Sequence, residues 1–197
     1  MNIFYLEWLN KRPSVCEFRE SLPPKYNFEC DVSIRGCKEV FQDIKLCGNI
    51  GNLEDYEFRS SPFTKRTYLI SHLQKCIRKM KNDKSVKTAK HIIDLDISAF
   101  LRRLPIIMFE DVVPHKDLPI ICWLMIAATK GFKFKIVMIQ YLLGLVYFLS
   151  SCPKHDEYSF KENIDPTIIE DNLFLKCILL RRSYGGRSRR PYWGARR

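Results

Sequence analysis

The residues of this chain whose type and spacing could do chemistry are cations, which concentrate on one predicted helix and at the end of the sequence. The helix carries a strip of five basic residues within ten positions: Lys75, Arg78, Lys79, Lys81 and Lys84. Clustered Lys and Arg side chains are typical of surfaces that contact the phosphates of nucleic acids. A solvated helix face is the alternative interpretation of this strip.

The end of the sequence, residues 181–197, contains seven Arg and no Asp or Glu. It contributes +7 to the net charge of +11, so the rest of the chain is only weakly basic, at +4. Tyr192 and Trp193 lie between these arginines and could stack on exposed bases. A solvated terminus is the alternative. The predicted nucleic-acid-binding residues are Lys75, Arg78, Lys79, Lys81, Arg182, Arg187, Arg189, Arg190 and Trp193.

Two arginines and two carboxylates lie close together on a further predicted helix, at Arg102, Arg103, Glu110 and Asp111. Arg is suited to bidentate contact with a carboxylate or a phosphate, so an external anion is one candidate partner. Glu110 and Asp111 are neighbours that point roughly 100° apart on a helix, and therefore cannot easily share one substrate. We expect these four residues to form structural ion pairs or caps.

Motifs of nucleotide hydrolysis and of nucleophilic catalysis do not occur in the sequence. No Gly is followed directly by Lys, which excludes a Walker A loop, and neither G-x-G-x-x-G nor G-x-S-x-G is present. The four His are scattered, and the spacings of Cys30, Cys37 and Cys47 differ from those of common zinc modules. We expect no catalytic residues, no metal and no cofactor, and hence a protein that is not an enzyme.

The eight cysteines form no C-x-x-C pair, and four of them lie in apolar, helix-like stretches where Cys acts as a small buried hydrophobe. Glu7 interrupts the first apolar run too early for a secretory signal peptide. Both observations favour reduced thiols in the cytoplasm or the nucleus.

Apolar residues recur with helical spacing through most of the chain after residue 63. Ser85 and Ser98 are predicted N-caps, and Pro105 is expected to kink or break its helix. Residues 136–152 carry no charge, but because a spanning helix needs roughly 20 apolar residues, a buried helix is favoured over a membrane span. The predicted helices cover about 66–81, 85–94, 98–112, 117–130, 134–151 and 167–182.

Prolines and glycines interrupt residues 1–62, so short apolar runs alternate there with turns. Residues 5–9 indicate a strand or one helical turn, and residues 40–46 a short helix. We predict an irregular α+β segment over 1–62, a helical bundle over 63–182 and a basic tail over 183–197. The fold class is therefore mainly α, a helical bundle with a small irregular α+β N-terminal segment.

Four stretches between residues 69 and 160 resemble, in order and rough spacing, motifs of one family. Residues 71–78 (SHLQKCIR) resemble L-Q-K-S-I-R, and residues 100–112 resemble I-x-R-R-L followed by S-E-D-[IV]-G. Gly131 and Phe132 are similar to a G-[MF]-P-E turn, and residues 147–158 to Y-L-A-x-A-P-K-S-N-x-x-Y. Together they resemble the C-terminal helical region of the replication-associated recombination ATPases, which are AAA+ relatives of clamp loaders.

This resemblance implies a helical scaffold that supports self-association near DNA under replication or repair. It implies no enzyme, because the ATPase core of the family has no counterpart in this chain. Val113 stands where the family has Gly, and Asp156 and Glu157 replace part of its S-N turn. An isolated copy of this region is typical of a viral or mobile-element protein.

The residues and the resemblance together favour a DNA-associated helical accessory protein. The alternative is a structural or assembly subunit of a larger particle or complex, in which the tail docks on an acidic partner. A membrane protein that uses residues 136–152 is the least favoured of the three.

Overall fold

The computed structural model of the protein describes residues 2–33, 43–153 and 173–184. It begins with strands β1 (Asn2–Trp8), β2 (Val15–Arg19), β3 (Phe28–Ser33) and β4 (Asp43–Ile50). Helices α1 (Arg66–Arg78), α2 (Asn82–Asp111), α3 (Leu118–Ala128), α4 (Ile136–Ser151) and α5 (Leu173–Tyr184) follow. The mainly α class is therefore confirmed, and the β structure of the described part lies at the N-terminus.

The four strands form one sheet in the order β2-β1-β4-β3. β1 pairs in parallel with β4 and antiparallel with β2, while β3 pairs antiparallel with β4. β1 is a central strand and has an almost continuous apolar sequence, NIFYLEW, most of which is buried. The N-terminal segment is thus more regular than the sequence indicates, and residues 5–9 belong mainly to a strand.

The short helix predicted at residues 40–46 is wrong for the described positions, which begin strand β4. Ile44 and Leu46 are buried while Lys45 between them points toward β3, where its Nζ lies 3.5 Å from Glu29 Oε2. That alternation has the period of a strand, and a short apolar run does not distinguish it from a helix without knowledge of the partner strands.

Trp123 of α3 joins the helices to the sheet. Its indole Nε1 donates hydrogen bonds to the carbonyl oxygens of Phe4 (3.2 Å) and Cys47 (3.1 Å), which lie on the two central strands. Its ring packs edge-on against Phe28 of β3 and Phe132 of the α3–α4 loop. Sheet and helices consequently share one hydrophobic core, in which α3 is buried along nearly its whole length.

α2 spans two of the predicted helices, and its backbone departs from helical dihedrals at Asp96 (φ −164°, ψ 89°). The Asp96 carboxylate accepts a hydrogen bond from the N–H of Ala99 at 2.9 Å, so Asp96 caps the second half of α2 in place of Ser98. Of the kink or break predicted at Pro105, the break is wrong, because the chain stays helical there. Asp96 offers the backbone a competing acceptor, whereas Pro105 only removes one donor.

The start of α2 also differs from the prediction. The helix begins at Asn82, so Ser85 lies in its first turn, fully buried, and its hydroxyl donates to the carbonyl oxygen of Lys81 at 2.9 Å. Ser85 is therefore not an N-cap.

α3 begins one residue later and ends two residues earlier than predicted, and α4 begins two residues later but ends at the predicted residue 151. None of the helices in the described ranges combines the length and apolar character that crossing a bilayer requires. α5 packs on α3, where the Cys122 thiol lies 3.4 Å from the carbonyl oxygen of Cys177. The predicted start of this last helix, residues 167–172, lies outside the described residues.

Candidate nucleic-acid interface

The turn between α1 and α2 holds a methionine where helices usually end on glycine. The N–H of Lys81 donates to the carbonyl oxygen of Cys76 and that of Met80 to Ile77, both at 2.9 Å, which is the Schellman pattern. Met80 has a φ of 52°, in the left-handed region. A residue with a Cβ loses about 1 kcal/mol there relative to glycine. The backbone conformation at position 80 is therefore less favourable with methionine than it would be with glycine.

An open groove of about 490 Å³ lies between this turn and the end of α4. We call it the turn groove, and its lining residues are Met80, Lys81, Asn82, Asp83, Lys84 and Tyr147. The side chains of Met80 and Tyr147 are 45% and 53% exposed, although both are large and mainly apolar. The groove therefore offers apolar contact area flanked by charge.

Asn82 fixes one wall of the turn groove to the other. Its carboxamide oxygen accepts a hydrogen bond from the Ser151 hydroxyl (2.9 Å), and its nitrogen donates to the carbonyl oxygens of Ser150 (2.8 Å) and Met80 (3.3 Å). The Ser150 hydroxyl in turn donates to the carbonyl oxygen of Tyr147 at 3.0 Å. The wall that carries Tyr147 is thus tied to the α1–α2 turn, and the groove is formed before any ligand arrives.

Four exposed lysines surround this turn, and we call them the turn cluster: Lys75, Lys79, Lys81 and Lys84. Burial raises the pKa of the Cys76 thiol, while Lys84 and Lys79 act to lower it, which places both cations around the same thiol. Among the described residues, Asp83 is the one carboxylate that lines the turn groove. The electrostatic potential here is therefore positive, and it favours an anionic ligand.

Arg78, predicted as a fifth member of the strip, has a partner inside the protein. Its Nε and Nη2 donate to Oδ1 of Asp111 at 3.0 and 2.6 Å. Asp111 is buried, while the Arg78 side chain stays 56% exposed. The Arg78 guanidinium thus mainly neutralises the buried Asp111 carboxylate.

Two of the predicted ion-pair residues, Arg103 and Asp111, are linked through Gln74 of α1. Gln74 donates to Oδ2 of Asp111 (2.6 Å) and accepts a hydrogen bond from Arg103, so Arg103 reaches Asp111 through Gln74. Arg102 is half-buried and Glu110 exposed on the same helix. The sequence placed Arg103 and Asp111 in one network but missed Arg78 and Gln74, because their approach depends on how α1 packs against α2.

The predicted tail residues Arg187, Arg189, Arg190 and Trp193 lie outside the described residues. Arg182 falls in the last turns of α5, and its side chain also lies outside them. The turn cluster is therefore the predicted nucleic-acid surface for which the structure gives geometry.

Of the six lining residues only Lys81 is among the predicted site residues, although Lys84 belongs to the basic strip. Asn82 lies between the helices predicted over 66–81 and 85–94, and Tyr147 lies inside the helix predicted over 134–151. Nothing in the sequence marks Tyr147 as exposed, because adjacent residues of an apolar helix can both be buried, as Ile121 and Cys122 are in α3. Nothing in the sequence indicates the positive φ of Met80.

Two further clusters of polar residues make hydrogen bonds within the fold. The Tyr141 hydroxyl donates to Asp117, and burial together with that carboxylate raises the pKa of Tyr141. Burial acts to raise the pKa of Asp94, but hydrogen bonds from Lys90 and Tyr56 and the N–H of Arg59 lower it overall. Within 2–33, 43–153 and 173–184, no group of three His, Cys, Asp or Glu could hold a metal ion.

Comparison of the chain with family models, curated proteins and solved structures gives no match. The resemblance of residues 69–160 to the helical region of replication-associated recombination ATPases therefore stays a prediction from its motifs. The fold and the turn groove define the class that the structure supports: a mainly α protein with an N-terminal sheet and a basic, aromatic surface groove.

Proposed function

We propose that this protein is a non-catalytic accessory or scaffold protein that binds nucleic acid at the α1–α2 turn. The observation that carries the proposal is the turn groove, in which cations and exposed apolar side chains converge on one concave surface. Lysines that contact phosphates release counterions, so such a surface binds DNA with an affinity that depends on salt.

The resemblance of residues 69–160 supports a place in DNA replication or repair and a self-associating scaffold. The basic tail would add phosphate contacts and stacking through Trp193. We further propose a reducing compartment, the cytoplasm or the nucleus, because Cys47, Cys122 and Cys177 are buried thiols that act as core residues.

The test is a salt titration of DNA binding with the full chain and two matched variants. In the first variant, the four lysines of the turn cluster become Gln. In the control, four exposed lysines near the sheet and the α3–α4 loop become Gln instead: Lys11, Lys25, Lys130 and Lys133. Lys133 precedes α4, and the length of that helix separates it from Tyr147 by about 18 Å.

The turn-cluster variant should bind more weakly, and the slope of log affinity against log salt should fall by about 0.7–0.9 for each phosphate that is no longer neutralised. The control variant should keep most of the slope. Equal reductions in the two variants would mean that net charge, and not the turn, drives binding. A third variant with Arg187, Arg189 and Arg190 changed to Gln measures the contribution of the tail.

A structural or assembly subunit is the second candidate, and one observation favours it. Phe148 is 48% exposed next to Tyr147, and its ring lies 4.9 Å from that of His115. Exposed neighbouring aromatics suit a protein interface. A stoichiometric complex that survives nuclease treatment would favour this function, whereas an association abolished by nuclease would favour the first.

A further inference from the structure

The turn groove places apolar side chains where a basic DNA surface usually has only cations. Met80 comes from the α1–α2 turn and Tyr147 from α4, and both line the groove beside Lys81 and Lys84. Phosphates alone would need only the lysines. The exposed ring and thioether therefore suit a ligand that has both negative charge and an accessible apolar face.

Unpaired nucleotides have that combination, whereas a duplex does not. In a duplex the faces of the bases are stacked inside, and opening one step costs a few kcal/mol. In a single strand each base presents a free π-face, on which aromatic side chains stack irrespective of sequence. The sulfur of a methionine also makes favourable contacts with aromatic rings.

The backbone of Met80 gives independent support. Glycine is the usual residue at the left-handed position of a Schellman turn, yet this chain has an exposed methionine there with a φ of 52°. The side chain does not fill the core, since it is 45% exposed. Strained residues of this kind cluster at ligand sites, where the contact made by the side chain compensates for the strain.

The turn groove has room for one unpaired base. It is open to solvent, and its volume of about 490 Å³ exceeds that of a single nucleobase with its sugar. The hydrogen bonds of Asn82 to Ser150 and Ser151 hold the Tyr147 wall in place. Little conformational entropy is therefore lost when a base enters.

We propose that the turn groove binds single-stranded nucleic acid by stacking one unpaired base between Met80 and Tyr147, while Lys81 and Lys84 contact the flanking phosphates. This inference rests on the proposed function and adds its substrate class. Asp83 also lines the groove and disfavours a phosphate close to its carboxylate.

The experiment measures binding of the full chain to three labelled DNA ligands with the same number of phosphates. They are a single strand, the same strand with abasic sites in place of its bases, and a duplex hairpin. Each is titrated with the unmodified protein and with Tyr147→Ala, Tyr147→Phe and Phe148→Ala. Phe148 is the matched control, because it is an exposed aromatic neighbour on α4 that does not line the groove.

Tyr147→Ala should weaken binding to the single strand roughly fivefold or more and leave the abasic strand and the duplex unchanged. Tyr147→Phe should retain binding because its ring still stacks, and Phe148→Ala should have no effect. Met80→Gly should also weaken single-strand binding, and its folding is safe because glycine suits a positive φ.

Two results would overturn the inference. One is an abasic strand that binds as tightly as the normal strand, and the other is a Tyr147→Ala variant whose affinity falls equally for all three ligands. If binding nevertheless depends on the turn cluster, the proposed function stands and only the stacking is refuted. If no ligand binds, both are refuted.

Discussion

At the scale of single residues, Gly48 and Trp123 show how closely the sheet and the helices approach. A Cβ at Gly48 would lie 2.8 Å from Cζ2 of the Trp123 ring, which is held in place by its two hydrogen bonds to the sheet. The ring cannot move away without breaking these bonds. Glycine is therefore required at this position by packing and not by backbone conformation.

Gly48→Ala should destabilise the protein by about 1–3 kcal/mol, because it overpacks the contact between β4 and α3. The matched control is Gly144→Ala on α4, where no atom lies within 4 Å of the added Cβ. Alanine replaces glycine in a helix there and should stabilise the protein by about 0.5–1 kcal/mol. Urea unfolding of both variants checks the opposite signs. Equal effects would refute the packing of Trp123 on β4.

Site residues were predictable only where their chemistry is visible in the sequence. Lys75, Lys79 and Lys81 were recognised because a run of cations stands out. Met80 and Tyr147 were missed, since an apolar residue gives no sign that it will remain exposed. Exposure depends on which neighbours the fold provides.

At the scale of elements, two adjacent cations at the end of α1 have different roles. Arg78 turns toward Asp111 of α2, whereas Lys79 is exposed at the turn. This division follows from the 100° step between consecutive helical residues. The basic strip is therefore partly structural and partly available to a ligand.

Arg78→Ala should lower the free energy of unfolding by about 1–2 kcal/mol, because it removes a charged donor from the buried Asp111 carboxylate. Lys79→Ala removes the same charge one position away and should leave stability nearly unchanged while weakening DNA binding. Thermal unfolding and anisotropy titration of the two variants separate these effects. Lower stability in Lys79→Ala, or unchanged stability in Arg78→Ala, would contradict the assignment.

Helix positions were predictable to within a few residues because apolar periodicity is local. The interruption of α2 at Asp96 falls in the gap predicted between helices 85–94 and 98–112, but the further break predicted at Pro105 does not occur. Pro105 is conspicuous in the sequence, but the absence of one donor is tolerated within a packed helix, whereas the Asp96 carboxylate actively competes for the backbone N–H of Ala99. The hydrogen bond accepted by Asp96 therefore interrupts the helix, whereas the proline does not.

At the scale of the whole molecule, sheet and helices are built around one core. The sequence did not predict this union, since the parallel pairing of β1 with β4 joins residues about forty positions apart. Local patterns do not encode such distant partners. The strands therefore resemble irregular segments in the sequence, because their pairing and their packing against α3 are not visible in local patterns.

The distribution of surface charge is also a property of the whole molecule. The basic turn lies at the end of α4 that carries Tyr147, and the α3–α4 loop lies at the opposite end. A polyanion drawn to the turn would meet the cations first and the exposed ring second. The steering effect weakens as salt screens the surface charges beyond about 10 Å.

The most direct test of the turn as an anion-binding surface is a gain of binding, because misfolding cannot produce it. Asp83→Asn removes the carboxylate of the groove and should tighten binding of single-stranded DNA roughly twofold to fivefold at low salt, with the gain fading at high salt. Glu20→Gln, an exposed carboxylate beside the sheet, should change affinity little. Unchanged or weaker binding by Asp83→Asn, or an equal gain with Glu20→Gln, would contradict the assignment of nucleic-acid binding to the α1–α2 turn.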